Sequence, residues 1–315
     1  MRGGDASRVC FTCLNRYVLC GKRAQNVNIL LIGDIVGKPG KRIVQQALGG
    51  LRAREGIDVV IANAENAAGG SGLTPKIYRE LLQAGVDCIT MGDHIYRRRD
   101  IDTVLQSESN IVKPANFPRS APGRDFAVVH AANGVNVVVF SLLGRLFMRP
   151  VDCPWTRADE LVDLFPESAP VRILDFHAEA TSEKQLMGRY LDGRVSAVLG
   201  THTHVPTADE QILPRGTAFQ SDVGMTGPHE SILGRDIDRV LHTTITFRPT
   251  YFQVAKSDVR LRGTLVTVEP ASGKAVAIRR IEIREEEAEQ LEREEAAGVG
   301  KPPEDQAARD DHPDA

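Results

Sequence analysis

Short apolar runs alternate with helical periodicities along the first third of the chain. Three continuous apolar runs, typical of buried parallel strands, predict strands at 28–32, 58–62 and 88–91. Between them, apolar residues recur at the spacing of a helix, which predicts helices over 42–55 and from Pro75 onwards. This β-α-β-α-β order predicts a largely parallel sheet.

The second half of the chain has a less regular pattern of strands, with one helix predicted over 183–190. The predicted strands are 126–130, 136–142, 171–176, 195–199, 259–269 and 275–283. Asn133-Gly134 favours a hairpin between the first two, and Ser272-Gly273 favours a closing antiparallel hairpin between the last two. The elements together predict one α/β domain over 27–284, with a pair of mixed sheets flanked by helices.

The composition is that of a soluble globular protein. Hydrophobic residues make up 42% of the chain and charged residues 26%, which excludes collagen-like and wholly disordered classes. The apolar runs fall far short of the roughly 18–20 residues that a membrane span needs. The start of the chain has no apolar segment that ends at a small-residue cleavage site. We therefore expect a cytoplasmic protein with no membrane partner.

The net charge of −3 is distributed unevenly. Residues 285–315 carry 12 acidic and 3 basic residues, a charge of −9, so residues 1–284 carry +6. Residues 1–26 hold five basic residues and one acidic residue (+4), which leaves +2 on 27–284. A body this close to neutral argues against general nucleic-acid binding. We expect the acidic tail to be solvated, helical over 285–297 and disordered after it.

Five cysteines are too few for a disulfide framework in a chain of 315 residues. Cys10, Cys13 and Cys20 lie near the start, and Cys88 and Cys153 stand alone. The first two have the spacing of half a zinc site, but a second cysteine pair is missing and the first 90 residues contain no histidine. We expect residues 1–26 to be a disordered extension, or residues upstream of the true start codon.

Polar side chains of a limited set of types follow the predicted strands. Carboxylates, one amide and imidazoles stand directly after apolar runs, where the carboxyl ends of strands bring loops together. These residues are Asp34, Glu65, Asn66, Asp93, His94, His177, His202 and His204. Oxygen and nitrogen donors without thiolates suit Mn²⁺, Fe²⁺ or Zn²⁺. Since alternate residues of an extended segment point the same way, we expect His202 and His204 to face one metal each of a close pair.

Each of these residues, taken alone, has a purely structural explanation. An aspartate after a strand commonly forms a turn or caps a helix, and a His-x-His sequence is common on surface strands. Coincidence at five strand ends is a poor explanation of the whole set. The sequence therefore favours a metal site.

Six motifs, in order along the body, make the chain similar to a known family. They are 33–37 (GDIVG), 63–68 (NAENAA), 92–94 (GDH), 175–184 (DFHAEATSEK), 200–204 (GTHTH) and 221–227 (SDVGMTG). Residues 28–283 thereby resemble the YmdB family of metallophosphoesterases, which are small members of the calcineurin-like superfamily. The resemblance implies a calcineurin-like four-layer α/β/β/α sandwich with mixed sheets.

The resemblance also implies an activity and a set of ligands. It implies hydrolysis of phosphodiesters, above all 2′,3′-cyclic nucleotides, by a hydroxide that bridges two divalent metals, iron or manganese. By the matching motifs, His94 is the general acid and Glu65 bridges the metals. The remaining ligands are Asp34, Asn66 and His204 for one metal, and Asp93, His177 and His202 for the other.

One residue departs from the pattern of the family. Where the family usually has asparagine, this chain has Asp93. Two divalent ions (+4), three carboxylates (−3) and a hydroxide (−1) give a neutral centre instead of one with charge +1. We expect tighter metal retention, weaker attraction of a substrate phosphate and a less acidic bound water. The arginines at 97–99 either restore positive charge near the opening or form a solvated helix face.

Two other functions stay open from the sequence. The chain could be a regulatory or scaffold protein that keeps the metal site but acts through partner binding, with its acidic tail or an oligomer surface as the contact. The second alternative is that the chain is a phosphomonoesterase with the same fold. The ligand set together with His94 favours the enzyme, because a scaffold has no use for a positioned acid. A homo-oligomer is compatible with either function.

Overall fold

The computed structural model describes residues 26–131 and 133–297, which form two stacked mixed sheets. The eight-stranded sheet contains β1 (Val27–Ile32), β2 (Asp34–Ile35), β3 (Val59–Asn63), β4 (Cys88–Thr90), β5 (Ile111–Val112), β12 (Met225–Pro228), β13 (Val259–Glu269) and β14 (Lys274–Arg284). The six-stranded sheet contains β6 (Phe126–His130), β7 (Asn136–Leu143), β8 (Val171–His177), β9 (Ala197–Thr201), β10 (Gln211–Ile212) and β11 (Ala218–Gln220). The helices are α1 (Gly37–Glu55), α2 (Pro75–Gln83), α3 (Asp102–Ser107), α4 (Pro154–Leu164), α5 (Thr181–Tyr190), α6 (Ile237–Thr246) and α7 (Glu285–Ala296).

The order of the strands brings several strand ends to the same edge. The eight-stranded sheet runs β2-β12-β13-β1-β3-β4-β5, with β14 paired to β13, and the six-stranded sheet runs β10-β11-β9-β8-β7-β6. β1, β3 and β4 pair in parallel in the first sheet, as do β7, β8 and β9 in the second. Because parallel strands end at the same edge, the segments that follow them lie side by side.

Alternation of side chains along the strands builds three apolar layers. Leu30 and Ile32 of β1 share a core with α1, whereas Ile29 and Leu31 face the apolar side of the second sheet. On the far side of that sheet, Phe140 of β7 packs in a third core with residues of α4 and α5. The layers form a four-layer α/β/β/α sandwich, which confirms the predicted fold class.

The start of the acidic tail differs from the expectation of a solvated segment. Residues 285–296 form α7, which buries Ala288 and Leu291 against the body. The contact is close: a Cβ at Gly50 of α1 would lie 2.5 Å from the carbonyl oxygen of Leu291. Arg42 and Arg54 of α1 add ion pairs to glutamates at the start of α7. An apolar face on an otherwise acidic helix explains why this part of the tail packs.

The expected disordered extension over 1–26 and the expected disorder after residue 297 fall almost entirely on residues that the structure does not describe. Residues 1–25 and 298–315, which include Cys10, Cys13 and Cys20, belong to that part of the chain. Within the described ranges, no helix is both long and apolar enough to cross a membrane. α1 begins at Gly37, before the predicted residue 42, because its first turn consists of glycine, lysine and proline and gives no apolar periodicity.

Candidate metal centre

The structure brings all eight predicted site residues together at one end of the two sheets. Asp34 follows β1, Glu65 and Asn66 follow β3, and Asp93 and His94 follow β4. From the second sheet, His177 ends β8, and His202 and His204 follow β9. The carboxyl ends of strands from both sheets therefore meet across one cluster of carboxylates and imidazoles.

One half of the cluster consists of Glu65, Asp93, His177 and His202, each of which offers an atom within 4.8 Å of the others. The Nε2 atom of His177 lies 3.4 Å from carboxylate oxygens of both Glu65 and Asp93. It also lies 3.0 Å from Nδ1 of His202. Four donor atoms at these separations surround a space that suits one divalent cation.

Polar contacts on the outer side of each imidazole orient the two rings of this half. Nδ1 of His177 lies 2.8 Å from Oγ1 of Thr201, and Nε2 of His202 lies 3.2 Å from Oε2 of Glu179. Protons on these outer nitrogens leave the lone pairs of the inner nitrogens, 3.0 Å apart, directed towards each other. Two facing lone pairs repel unless a cation or a proton lies between them, so this arrangement fits a metal.

The other half of the cluster contains Asp34, Asn66 and His204. Nε2 of His204 lies 3.7 Å from Oδ1 of Asp34 and 3.2 Å from Nδ2 of Asn66. Oδ1 of Asp34 is buried and has no hydrogen-bond partner among the described residues. Burial raises the pKa of Asp34 to about 6, despite the attraction of His204 and His177. A buried carboxylate oxygen without a partner costs free energy that a cation ligand would recover, so this half also fits a metal.

Glu65 lies between the two halves and is almost completely buried. Its Oε1 lies 3.4 Å from Nε2 of His177 and 3.3 Å from Nδ1 of His94, and it accepts a hydrogen bond from Nδ2 of Asn66 at 3.1 Å. Burial alone would raise the pKa of Glu65, but His177 and His94 outweigh burial and lower it well below its usual value. Glu65 is therefore a carboxylate that contacts residues of both halves.

The loop before Asp93 has room only for glycine. A Cβ at Gly92 would lie 2.3 Å from both Oε2 of Glu65 and Nε2 of His177. Any side chain at this position would displace the donor atoms, because such contacts are far inside van der Waals distance. The glycine in the Gly-Asp-His motif thus permits the close approach of β4 to β8 at the centre.

The extended geometry predicted for the His202-Thr203-His204 sequence is wrong, although each histidine does lie in a different half of the cluster. The backbone φ is +95° at His202 and +66° at His204. Residues with side chains seldom adopt this left-handed backbone, and it costs of order 1–3 kcal/mol per residue. A bend, and not strand alternation, separates the two imidazoles.

A buried ion pair holds this bend. Oδ2 of Asp222 accepts hydrogen bonds from the backbone N–H of Thr203 at 3.1 Å and from its hydroxyl at 2.8 Å. The same oxygen lies 2.6 Å from Nζ of Lys184 on α5, and both charged side chains are only 1% exposed. Sequence reasoning missed this pair, although both residues lie inside motifs of the family resemblance. A lysine and an aspartate far apart in sequence give no local signal that they meet.

Replacement of Lys184 by methionine is expected to destabilise the protein by about 3–5 kcal/mol, since it leaves the Asp222 charge buried without a partner. The free energy of unfolding in urea measures the loss. As a control, Lys76→Met removes a lysine whose side chain is 82% exposed, and is expected to change stability by less than about 1 kcal/mol. Equal stability of the two variants would show that the buried pair does not support the bend.

A buried set of hydrogen bonds centred on Asp175 lies beneath His177. The Oγ1 atom of Thr201 accepts from Nδ1 of His177 and donates to Asp175 at 2.6 Å. Asp175 is fully buried and also accepts from Thr90 at 2.6 Å and Asn63 at 3.0 Å. Such a chain fixes the tautomer and the orientation of a ligand histidine. The sequence contains a signal for this contact: Asp175 lies two residues before His177, so the two side chains point to the same face of β8.

A cleft of about 350 Å³ opens onto the cluster, with the side chain of His94 26% exposed in its wall. Another part of its wall comes from residues 229–258, the segment between β12 and β13 that carries α6, and this part is apolar except for Arg235. The apolar wall residues are Ile232, Leu233, Val240 and Phe252. Sequence reasoning missed this wall. The available signal was Asp236, which caps α6 by accepting from the N–H of Arg239 at 3.2 Å.

The fold and the cluster are those of a metallophosphoesterase. The chain belongs to the YmdB family: the family model described as "YmdB-like protein" matches residues 30–281. This finding confirms the resemblance that the motifs indicated.

Three known proteins illustrate the similarity. A 2′,3′-cyclic-nucleotide 2′-phosphodiesterase of Bacillus subtilis (strain 168) is 45% identical over 260 residues, which cover 82% of this chain and 98% of that protein. The crystal structure of a hypothetical protein from Thermus thermophilus matches with a TM-score of 0.78 and 41% identity, over 82% of this chain and 99% of that one. The crystal structure of a novel phosphatase from Mycoplasma pneumoniae matches with a TM-score of 0.78 and 33% identity, over 83% and 94%.

Proposed function

We propose that this protein hydrolyses 2′,3′-cyclic nucleotides at a centre of two divalent metals. The observation that carries the proposal is the single connected cluster around Glu65, with four donor atoms within 4.8 Å of one another in one half and an unpartnered buried oxygen of Asp34 in the other. The activity named for the Bacillus subtilis relative supports the choice of substrate. The oxygen and nitrogen donor set suits Mn²⁺, Fe²⁺ or Zn²⁺, and the family resemblance narrows the proposed metals to manganese or iron.

In this proposal each half of the cluster would hold one metal, and Glu65, which contacts residues of both halves, would serve as a ligand for the two. Asp93, His177 and His202 complete one half, and Asp34, Asn66 and His204 complete the other. Asn66 binds through Oδ1 only after its amide rotates, because Nδ2 now faces His204. When bound, two divalent cations neutralise phosphoryl oxygens and lower the pKa of water, so that it attacks phosphorus at neutral pH.

His94 is the general acid of the proposed reaction. Its Nδ1 lies 2.8 Å from Oδ1 of Asn66; once the Asn66 amide has rotated, Nδ2 would donate to this nitrogen, so the ring proton of His94 would lie on Nε2 at the cleft. Water adds across the P–O2′ bond: the water oxygen bonds to phosphorus, the P–O2′ bond breaks, O2′ takes the proton from His94, and the proton that the water releases restores His94. The product is a nucleoside 3′-phosphate. A ribose alkoxide is a poor leaving group, so this proton has a large effect on the rate.

The test of this reaction is product analysis with 2′,3′-cyclic AMP in the presence of Mn²⁺. We expect the 3′-phosphate as the product, and slower turnover of p-nitrophenyl phosphate than of bis-p-nitrophenyl phosphate. Faster turnover of the monoester would contradict the proposal and assign a phosphomonoesterase to this site.

Replacement of Asp93 by asparagine is expected to raise kcat/KM on 2′,3′-cyclic AMP by roughly three- to tenfold. The reason is electrostatic: one negative charge near a phosphate in a solvent-accessible cleft is worth about 1 kcal/mol. Metal content is expected to stay the same at saturating Mn²⁺. Asp100→Asn, which changes an exposed aspartate of the same segment, is the control and should alter neither value. No difference between the two variants would remove the charge argument.

The structure also places arginines beside Asp93. Arg97 and Arg149 line a depression of about 410 Å³ together with Asp93, and Nη1 of Arg149 lies 3.4 Å from the Asp93 carbonyl oxygen. Both arginines are exposed. The position of Arg97 next to the cluster supports the expectation that arginines at 97–99 restore positive charge at the opening, and Arg149, for which no expectation was made, adds to it.

A further inference from the structure

A cavity of about 880 Å³ lies beside the cleft and has no role in the proposed reaction. We call it the basic-aromatic cavity, after the four residues that define its chemistry: Lys38, Lys256, Tyr251 and Phe252. It is formed by the start of α1 on one side and by residues 251–256 on the other. Its volume lies in the range of small-molecule sites, roughly 300–1,000 Å³.

The basic-aromatic cavity adjoins the cleft over the candidate metal centre, both along the chain and in space. Phe252 lines both the cavity and the cleft. Val36 lines the cleft, and Lys38, two residues later, lines the cavity. Between them, the N–H of Gly37 donates to the carbonyl oxygen of Asn66 at 3.0 Å. A ligand held at the metal cluster therefore has the cavity as its immediate neighbour.

The cations of the cavity are of two kinds. Lys41 and Arg42 are already paired, with Glu80 and Glu285. Lys38 and Lys256 are exposed and form no ion pair with any of the described residues. Lys38 lies in the first turn of the 19-residue helix α1, which has no acidic residue to offset the positive end of its dipole. The free charges of the cavity are therefore positive and suit a phosphate.

The aromatic side chains of the cavity suit the ring of a base. Tyr251 is 78% exposed and Phe252 is 38% exposed. Exposed aromatic rings next to unpaired lysines are the combination by which proteins bind single-stranded nucleic acid: bases stack on the rings and the cations contact the backbone phosphates.

We propose that the preferred substrate is the 3′ end of an oligoribonucleotide that carries a terminal 2′,3′-cyclic phosphate. The terminal nucleotide occupies the cleft, and the nucleotide before it occupies the basic-aromatic cavity. Lys38 and Lys256 contact the phosphate that joins the two, and Tyr251 stacks on the second base. This inference rests on the proposed function. It requires one additional nucleotide subsite and no extended basic face, in agreement with the charge of only +2 on residues 27–284.

The test compares 2′,3′-cyclic AMP with the dinucleotide ApA that ends in a 2′,3′-cyclic phosphate. We expect kcat/KM to be at least about fivefold higher for the dinucleotide, since stacking of one base on an aromatic side chain contributes at least that factor. The Lys38→Ala/Lys256→Ala double variant and Tyr251→Ala should each remove this advantage through KM, and leave kcat/KM on 2′,3′-cyclic AMP unchanged. Lys274→Ala, which removes an exposed lysine at the start of β14, is the matched control and should retain the advantage.

The outcomes separate this inference from the proposed function. Hydrolysis of 2′,3′-cyclic AMP without any preference for the dinucleotide would overturn the inference alone. No hydrolysis of either substrate would overturn the proposed function and the inference with it. If the variants instead sediment as smaller particles and lose the same factor on both substrates, the cavity is a contact with a second copy of the chain, and the inference is wrong.

Discussion

Glu65→Gln is expected to lower turnover of 2′,3′-cyclic AMP by more than about 10³-fold and to reduce the metal content. Glu65 is a buried carboxylate whose side chain contacts both halves of the cluster, and it faces His177, His94 and Asn66. The neutral amide removes the negative charge that two divalent ions would share. Metal ions contribute several kcal/mol to such reactions, and each 1.36 kcal/mol is a factor of about ten.

The measurement is metal per chain by elemental analysis, together with the turnover number of the same sample. Glu289→Gln on the exposed face of α7 is the matched control, and both its metal content and its rate should equal those of the unaltered protein. A Glu65→Gln protein that keeps its metals and a rate within tenfold would show that the cluster is not arranged around this residue.

His94→Ala is expected to lower turnover of 2′,3′-cyclic AMP by about 10²–10⁴-fold, the usual contribution of a positioned acid, while the metal content stays the same. Loss of the acid matters most when the leaving group is a poor one. Turnover of bis-p-nitrophenyl phosphate, whose leaving group departs without a proton, should therefore fall by less than about tenfold. His130→Ala, which removes an exposed histidine on β6, should have no effect on either substrate.

The two substrates distinguish an acid from a residue that only steadies its neighbours. His94 is adjacent to Asp93 and lies 2.8 Å from Asn66, so its removal could act through either ligand. In that case both substrates would lose the same factor and metal content would fall. A loss confined to the cyclic nucleotide is the result that the acid role requires.

The fold and the members of the cluster could be predicted because they depend on local pattern. Each apolar run ends in a ligand type, and parallel strands must place their ends at the same edge. β1, β3, β4, β8 and β9 were all found by this reasoning, within two residues at their ends.

The parts that could not be predicted depend on contacts between distant segments. The left-handed bend at His202 and His204 is held by Asp222 and Lys184, and their meeting is a property of the folded chain. The apolar face of α7 that packs on α1 consists of few residues within a run of glutamates, so it gave no clear apolar periodicity. The segment 229–258 carries α6, and none of the residues of α6 is buried. The apolar side chains of this segment therefore gave no indication that some of them line a cleft.

The two-metal catalytic centre is tested most directly by elemental analysis of protein purified without chelator or added metal, with the same sample assayed on 2′,3′-cyclic AMP. We expect about two metal ions per chain and hydrolysis that His94→Ala largely removes. Two metals without turnover would favour a regulatory role for an intact metal site. Fewer than one metal per chain, not restored by added Mn²⁺ or Fe²⁺, would contradict the central claim that this cluster is a two-metal catalytic centre.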